Sequence, residues 1–117
     1  MRRLVSTIKA LSDEIRLRII NIIYEEEVCV CEIVDALSLP QSTISRHLTV
    51  LKNAGIVEDR KHGQWVFYKL VIGKEDENFI KTLIEKELKI HPAFQKDIQA
   101  LKKRLEKGRG CVVQGIL

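Results

Sequence analysis

Aromatic residues are scarce in this chain of 117 residues, where one Trp, two Tyr and three Phe make up 5% of the sequence. A hydrophobic core must therefore be built mainly from Ile, Leu and Val. No apolar run approaches the roughly 18 residues that a membrane-spanning helix needs. The basic N-terminus is not followed by the apolar stretch and cleavage site of a secretory signal. We therefore expect a cytoplasmic protein with one compact domain and no membrane partner.

Cysteine is also rare, with three residues in the whole chain. So small and odd a number in a cytoplasmic chain indicates metal binding, reactivity or simple burial rather than a disulfide framework. Signatures of an enzyme are missing too, since there is no phosphate-binding loop and no Ser or Cys with an evident base partner. The formal net charge of +4 is compatible with a polyanionic partner but indicates one only weakly. An enzyme is therefore not expected.

Helical spacing of apolar residues dominates the first half of the chain. A short helix over residues 4–11 is followed by Ser12 and Asp13, which are N-cap candidates for a second helix that reaches Tyr24. Further helices are predicted over residues 29–37 and 41–53, and the break between them comes at Pro40, which cannot continue a helix interior. Gly55 is well placed to end the last of these helices in a left-handed turn.

A change of period after Gly55 predicts a β-hairpin. Residues 56–60 and 65–70 have the character of strands, and the turn between them at 61–64 contains Gly63. Helical spacing returns over residues 79–88 and again over 92–107. The apolar stripe of the last helix needs a partner surface, for which packing on a dimer is the ordinary explanation. The resulting fold class is α+β, a mainly helical winged helix-turn-helix with a hairpin wing.

The polar face of the helix at 41–53 has the side chains that read DNA. A major groove admits one α-helix, Arg can fork onto guanine, Gln can pair with adenine, and hydroxyl groups bond to bases or phosphates. Taken one at a time, such residues are as often mere solvated surface, and a winged helix that binds protein is an alternative. The candidate DNA-binding residues are Gln41, Ser42, Thr43, Ser45, Arg46 and His47, with Arg60, Lys61 and His62 at the hairpin tip. His47 could equally pack against the domain.

Four blocks of sequence occur in a specific order: ALSDEIRLRI at 10–19, VCVCEI at 28–33, STISRHL at 42–48 with LKNAGIV at 51–57, and RKHGQWVFY at 60–68. Together they resemble the ArsR/SmtB family of bacterial and archaeal transcriptional repressors over roughly residues 4–90. The resemblance implies a homodimer formed through the first and fifth helices, and repression that ends when an inducer binds. It also implies two parts, a DNA-binding and dimerisation domain at 1–90 and a helical extension with a cysteine-containing tail at 91–117.

Cys29 and Cys31 lie one residue apart, directly before the helix-turn-helix. Thiolates bind soft or borderline ions such as As(III), Cd(II), Pb(II) and Zn(II). On a regular helix, two residues at this spacing point about 200° apart, whereas in an extended segment they share a face. Binding of one ion by both thiols therefore requires a non-helical or distorted helix start. The alternative for either cysteine alone is a small buried hydrophobe.

The resemblance favours As(III) as inducer, with a third ligand left to find. Arsenic-sensing members often have a third cysteine where this chain has Val34, and cadmium- and lead-sensing members have cysteines near the N-terminus, where this chain has none. Asp76 and His91 are too isolated to form the zinc site of other members. Cys111 is the remaining cysteine and the candidate third ligand, from the same protomer or its partner; a small thiol or a solvent ligand could also complete the site. Sensing of Cd(II) or Pb(II), and induction by thiol oxidation or persulfide formation, stay open.

Overall fold

The computed structural model describes residues 2–71 and 77–108, of which residue 77 is described by its backbone alone. It confirms the predicted fold class, a mainly helical winged helix-turn-helix with a small antiparallel sheet. None of its described helices has the length and apolar character to cross a membrane. The elements are α1 (Arg2–Leu11), α2 (Glu14–Glu25), β1 (Val28–Cys29), α3 (Val30–Leu37), α4 (Gln41–Asn53), β2 (Val57–His62), β3 (Trp65–Leu70), α5 (Glu77–Thr82), which continues as a π-helical segment (Leu83–Leu88), and α6 (Pro92–Glu106).

Asp13 begins α2, as one of the two predicted N-cap residues. Its Oδ1 accepts hydrogen bonds from the backbone N–H groups of Ile15 at 2.8 Å and Arg16 at 3.1 Å. Ser12 has a different role, because its hydroxyl donates to the carbonyl of Lys9 at the end of α1. The cap satisfies two of the N–H groups that the first turn of a helix leaves without partners.

The core consists almost wholly of aliphatic side chains, as the scarcity of aromatics requires. Every helix from α1 to α6 contributes to one continuous cluster. Its fully buried members include Ile19, Ile20, Ile22, Ile33, Ile44, Leu48, Leu51, Ile56, Ile80, Ile84 and Leu101. The helix-turn-helix and the last helix therefore share one hydrophobic core.

The sheet has three strands in the order β1-β3-β2, one more than the predicted hairpin. Val28 pairs with Tyr68 and Cys29 with Phe67, which joins the segment before α3 to the wing. The hairpin turn is also shorter than predicted: β2 extends through His62, and Gly63 makes the turn with φ 64°. Gly55 likewise has positive φ, 77°, just after α4 as expected.

The π-helical segment after α5 replaces the regular helix that the spacing predicts. It is fastened to the end of α2, where the hydroxyl of Tyr24 donates to Glu85 and the ammonium of Lys89 pairs with Glu25. The hydrogen bond to Glu85 raises the pKa of Tyr24 to about 12. Lys89 also lies 5.5 Å from the centre of the Tyr24 ring. These contacts hold the segment against α2.

Helix α6 packs on α2 and α3 of its own chain. The prediction that its apolar stripe packs on a dimer partner is therefore wrong for Phe94 and Leu101, which are buried within the protomer. Arg18 of α2 makes a two-pronged ion pair with the buried Asp97 of α6, at 2.8 and 2.9 Å. The apolar stripe has its partner surface within one chain.

Candidate nucleic-acid interface and cysteine segment

Helix α4 separates apolar from polar side chains as predicted. Ile44, Leu48 and Leu51 are buried against the domain. On the other side, side chains are exposed at Gln41, Ser42, Arg46, Thr49 and Lys52 and half-buried at Thr43 and Ser45. The exposed face is that of a single helix and suits the width of a major groove.

His47 is the exception on α4, because it is buried rather than exposed. Nη1 of Arg16 lies 3.1 Å from Nδ1 of His47, and Nε of Arg16 donates to the carbonyl of Ala10. Burial lowers the pKa of His47; Asp13 opposes this, and the charges of Arg46 and Arg16 add to it. A neutral His47 can accept the Arg16 N–H. Its prediction as a DNA-facing residue is therefore corrected: the side chain joins α4 to α2.

The turn between α3 and α4 depends on one residue in an uncommon conformation. Ser38 ends α3 with φ 56° and ψ 45°, the left-handed region. This conformation costs a residue with a side chain roughly 1–2 kcal/mol. The chain then reaches Pro40, which occupies the N-cap position of α4. The turn thus fixes the approach of one helix to the other.

Lys61 and His62 lie at the outer end of β2 and are exposed. They belong to the strand rather than to the turn, yet remain beside the hairpin tip. The His62 ring meets Phe67 edge-on, with 6.3 Å between ring centres. The two side chains are available to a polyanion that approaches the wing.

Arg60 has a partner within the chain. Its Nε and Nη2 donate to the two carboxylate oxygens of Glu27 at 3.1 and 2.8 Å. Its guanidinium group also lies 5.7 Å from the centre of the Phe67 ring. Glu27 directly precedes β1, so Arg60 ties the wing to the segment that contains the cysteines. Sequence reasoning assigned Arg60 to DNA and missed this pair.

Cys29 belongs to two elements at once. Its backbone is extended, with φ −94° and ψ 168°, and pairs with Phe67 of β3. It is also the N-cap of α3, and its N–H donates to Oε1 of the fully buried Glu32 at 3.0 Å. The predicted helix start at Cys29 is one residue too early. A displacement of Cys29 would act on the wing and on α3 together.

The two cysteines of the pair differ in state. Cys29 is a buried free thiol, whereas Cys31, the second residue of α3, is disulfide-bonded. Burial raises the pKa of the Cys29 thiol, and the charge of Glu32 adds to this against a backbone hydrogen bond from the same residue. The thiolate-favouring effect of a helix N-terminus is therefore outweighed at Cys29.

Across residues 2–71 and 77–108, no three His, Cys, Asp or Glu side chains meet in a geometry that could hold a metal ion. Cys29 is one donor of the soft type that As(III) and Cd(II) prefer, and Cys31 would be a second once its disulfide is reduced. Cys111, the predicted third ligand, lies outside the described residues. Within the described part of the chain, reduction would therefore leave two thiols as candidate ligands.

The C-terminal end of α6 lies on α3. Nε of the buried Arg104 donates to Asp35, and its Nη1 donates to the carbonyl of Gly108 at 2.8 Å. Asp35 follows Cys31 by four positions, a spacing that puts both on one face of α3. Three residues span at most about 11 Å, which is the reach from Gly108 to residue 111. Arg104 thus brings the last described residues to the helix face that carries Cys31.

Several known proteins are similar to this chain in sequence. The profile of the family described as bacterial regulatory protein, arsR family, matches residues 13–59. An HTH-type transcriptional regulator of Methanocaldococcus jannaschii is 52% identical over 64 residues, 54% of this chain and 72% of that protein. An arsenic resistance transcriptional regulator of Pseudomonas putida is 52% identical over 63 residues, 53% of this chain and 49% of its own length. A cadmium resistance regulatory protein homologue of Staphylococcus aureus is 40% identical over 79 residues, 67% of this chain and 61% of its own. The last two matches thus cover only half to three-fifths of those relatives.

Solved structures agree with the fold. HlyU of Vibrio cholerae superposes with a TM-score of 0.65 and 36% identity, over 70% of this chain and 88% of that one. A homodimeric winged helix-turn-helix DNA-binding domain of Mycobacterium bovis gives a TM-score of 0.62 at 26% identity, over 78% of this chain and 86% of that one. The arrangement of α4 and the wing is thus that of known DNA-binding regulators.

Proposed function

The chain belongs to the ArsR family of regulatory proteins, and on that premise we propose a repressor that leaves its operator when As(III) or a related thiophilic species binds Cys29 and Cys31. As a member of this family it is a DNA-binding transcriptional regulator rather than an enzyme. One observation carries the proposed mechanism: Cys29 is both a strand partner of Phe67 and the N-cap of α3. An ion held there would pull on the wing and on the helix-turn-helix together.

The exposed face of α4 is proposed to read the operator. Gln41, Ser42 and Arg46 lie toward the N-terminal half of the helix, where base contacts are usual in this motif. Lys61 and His62 at the wing would contact phosphates, which set affinity rather than sequence preference. Arg60 would fix the wing through Glu27, and His47 would support α4 from inside. The set proposed to face DNA is Gln41, Ser42, Thr43, Ser45, Arg46, Lys61 and His62.

The functional unit is proposed to be a homodimer formed through α1 and α5. In support of this, Leu4, Val5 and Ile8 of α1 are exposed apolar side chains, as is Phe79 of α5. Two copies would set the spacing of two α4 helices to that of two half-sites. Residues 1–90 would thus read DNA and dimerise, and residues 91–117 would form the extension.

As(III) is the favoured inducer, because a relative 52% identical over 63 residues is an arsenic resistance regulator and thiolates suit this ion. Cys111 is proposed as the third thiolate, from the same protomer, because Arg104 brings the end of α6 to α3. Cys31 is disulfide-bonded in the structure, so metalloid binding requires that it first be reduced. Each thiol also loses its proton on binding. The cadmium resistance relative leaves Cd(II) as the second inducer to test.

A thiol-redox repressor is the second candidate, and the disulfide at Cys31 is the observation that favours it. Oxidation would then be the signal, and reduction would restore the DNA-binding form. A persulfide at Cys31 would act in the same way, and attack of hydrosulfide on its disulfide would form one with release of the partner thiolate. The two candidates share the fold and the DNA-binding face and differ in the chemistry at Cys31.

A DNA-release assay on fully reduced protein separates them. We expect As(III) to release wild-type protein and to leave Cys29→Ser and Cys31→Ser bound. If Cys111→Ser still responds to As(III) while Cys29→Ser does not, the tail is not a required ligand. Release by an oxidant alone, with As(III) and Cd(II) inactive, would overturn the metalloid assignment and support the redox one.

Arg46→Ala tests the DNA-binding face in the absence of inducer. Loss of one base contact is expected to weaken operator binding by about 1–3 kcal/mol, or roughly fivefold to more than a hundredfold. Lys61→Ala should weaken operator and random DNA alike and reduce the salt dependence by about one ion. Lys96→Ala on α6 is the matched control, exposed and far along the chain from α4. An Arg46→Ala protein that binds its operator as tightly as this control would contradict the proposed face.

A further inference from the structure

Arg16 joins three helices through one side chain. It belongs to α2, its Nε donates to the carbonyl of Ala10 near the end of α1, and its Nη1 lies 3.1 Å from Nδ1 of His47 on α4. In the proposed function α1 faces a second copy of the chain and α4 faces DNA. We infer that Arg16 is a positioning residue that fixes α4 to α1 and so sets the distance between the two α4 helices of a dimer. The inference rests on the proposed homodimer.

The connection from which Arg16 extends is itself held in place. The backbone N–H of Arg16 donates to Oδ1 of Asp13 at 3.1 Å, so the residue that caps α2 also fixes the main chain of Arg16. The hydroxyl of Ser12 donates to the carbonyl of Lys9 at 2.7 Å, which fastens the end of α1. The guanidinium group therefore reaches α4 from a fixed junction between α1 and α2.

A guanidinium group is well suited to this link. It is planar and carries five N–H donors in a rigid fork, so it can serve two acceptors on different helices at once. Both acceptors belong to buried residues, because Ala10 and His47 are each 5% exposed. A buried acceptor that loses its donor is costly, so the three groups hold one another in place.

Beside this link, α1 and α4 are separated by an open cleft with a volume of about 330 Å³. Its lining residues are Ser6, Lys9 and Ala10 of α1 and Val50, Asn53 and Ala54 of α4. An unfilled gap lacks the side-chain contacts that make a packed interface rigid. Arg16 holds α4 at His47, and without it the C-terminal half of α4 has room to move toward α1.

The position of α4 relative to α1 matters because two copies would read two half-sites. The distance between half-sites then follows from the distance between the two α4 helices. One inserted base pair moves a half-site by roughly 3.4 Å and turns it by about 34° around the DNA axis. A rigid link penalises the displaced half-site, whereas a loose one lets α4 follow it. Arg16 would thus set the spacing preference from a position on α2.

The link can be tested without DNA or inducer by pulsed electron paramagnetic resonance on the reduced full chain. A nitroxide attached through a ketone side chain at residue 49, on the exposed face of α4, reports the distance between the two α4 helices and leaves the cysteines unaltered. We expect a narrow distance distribution with Arg16 present and one about twofold broader in Arg16→Met, since the cleft leaves room for movement. Arg18→Met is the matched control on α2: it breaks the ion pair with Asp97 of α6 and should leave the distribution narrow.

His47→Leu removes the same link from the α4 side. It should broaden the distribution as much as Arg16→Met does, and the double variant should add nothing further, because the two residues act as one unit. Arg16→Lys should give an intermediate width, since one ammonium group on a flexible stem cannot reproduce the fork.

The functional readout is a ratio of two DNA affinities. An operator selected from random DNA with wild-type protein is compared with the same DNA carrying one extra base pair between its half-sites. We expect wild type and Arg18→Met to prefer the original spacing by about tenfold or more, and Arg16→Met by about threefold or less.

An Arg16→Met distribution as narrow as that of wild type, or an equal spacing preference in the two proteins, would overturn the inference and leave the proposed repressor standing. A labelled chain that stays monomeric would refute the proposed dimer and the inference together. No As(III) enters either assay, so both outcomes are independent of the proposed inducer.

Discussion

The two outer helices, α1 and α6, each have an apolar side, but only α6 covers that side within its own chain. Both are amphipathic and both flank the helix-turn-helix in the chain. Helix α1 leaves Leu4, Val5 and Ile8 at 41–47% exposure, whereas α6 buries Phe94 and Leu101 in its own protomer. The difference is one of partners: α6 has α2 and α3 beneath it and an ion pair from Arg18, and α1 presents its apolar side outward. An amphipathic pattern therefore shows that a partner surface exists without showing on which chain it lies.

Leu101→Ala should give the largest loss of stability among the variants considered. Leu101 is fully buried, so truncation loses its transfer free energy and leaves a cavity, at a cost of about 2–5 kcal/mol in unfolding free energy. Leu4→Ala is the matched control in α1 and should cost well under 1 kcal/mol when the chain is kept monomeric by dilution. Urea denaturation measures both. Similar losses in the two variants would mean that α1 and α6 do not differ in the way described.

Arg18→Met probes the ion pair that holds α6. It leaves the carboxylate of Asp97 buried without its partner, and since Arg18 is about one-fifth exposed the expected cost is about 1–3 kcal/mol. Adding Asp97→Leu in the same chain should restore much of the loss, because the buried charge is then gone. Thermal unfolding of the single and double variants checks this. A double variant less stable than Arg18→Met would show that packing of α6 does not tolerate the apolar pair.

Ile8→Asp addresses the exposed side of α1. A charge placed in the apolar patch should weaken the proposed dimer by about tenfold or more and leave the stability of the diluted monomer within about 0.5 kcal/mol. Ser6→Asp adds the same charge beside the patch and serves as control. Sedimentation equilibrium reports the dissociation constant. Unchanged dimerisation in Ile8→Asp would remove α1 from the interface.

His47→Gln gives the smallest effect and concerns the way in which α1 is attached. Arg16 joins the carbonyl of Ala10 at the end of α1 to the neutral ring of His47. The pKa of His47 is lowered by burial, so just below the ordinary value of 6.5 the unfolded chain binds more protons than the folded one. Stability should be full above pH 6.5 and fall as pH drops through the folded pKa. Denaturation at several pH values between 5 and 7 should show a flatter profile in His47→Gln than in wild type.

The helices, the hairpin and most of the polar face of α4 could be predicted from the sequence, because each depends on the local spacing of apolar residues. For His47 the sequence left DNA contact and packing equally open. Its spacing favours packing, since it follows Ile44 by three positions and precedes Leu51 by four, within the buried stripe. Asp13 was one of two cap residues predicted from residue type and position alone. Helix caps and buried stripes of this kind can be predicted from a single sequence.

The features that sequence reasoning missed join distant positions. Strand β1 is two residues long and exists only because Cys29 pairs with Phe67, 38 positions later; such a strand has no alternation to detect. Arg60 has the composition of a DNA contact, and only the register of the sheet brings it to Glu27. The partner of the apolar stripe on α6 could not be predicted either. An amphipathic pattern shows which face of a helix is apolar, but it does not show which element packs on that face.

The short strand β1 also gives the wing the mechanics of a lever. Cys29 meets β3 at Phe67, and beyond that point β3 has two further residues, Val66 and Trp65, before the turn. At roughly 3.3 Å per residue, the part of the hairpin beyond this fulcrum is about 10 Å long including half of the turn. A rotation at Cys29 is converted into a sweep of the tip in proportion to that length. Lengthening the hairpin by one residue pair would increase the travel of the tip without altering any side chain at the fulcrum.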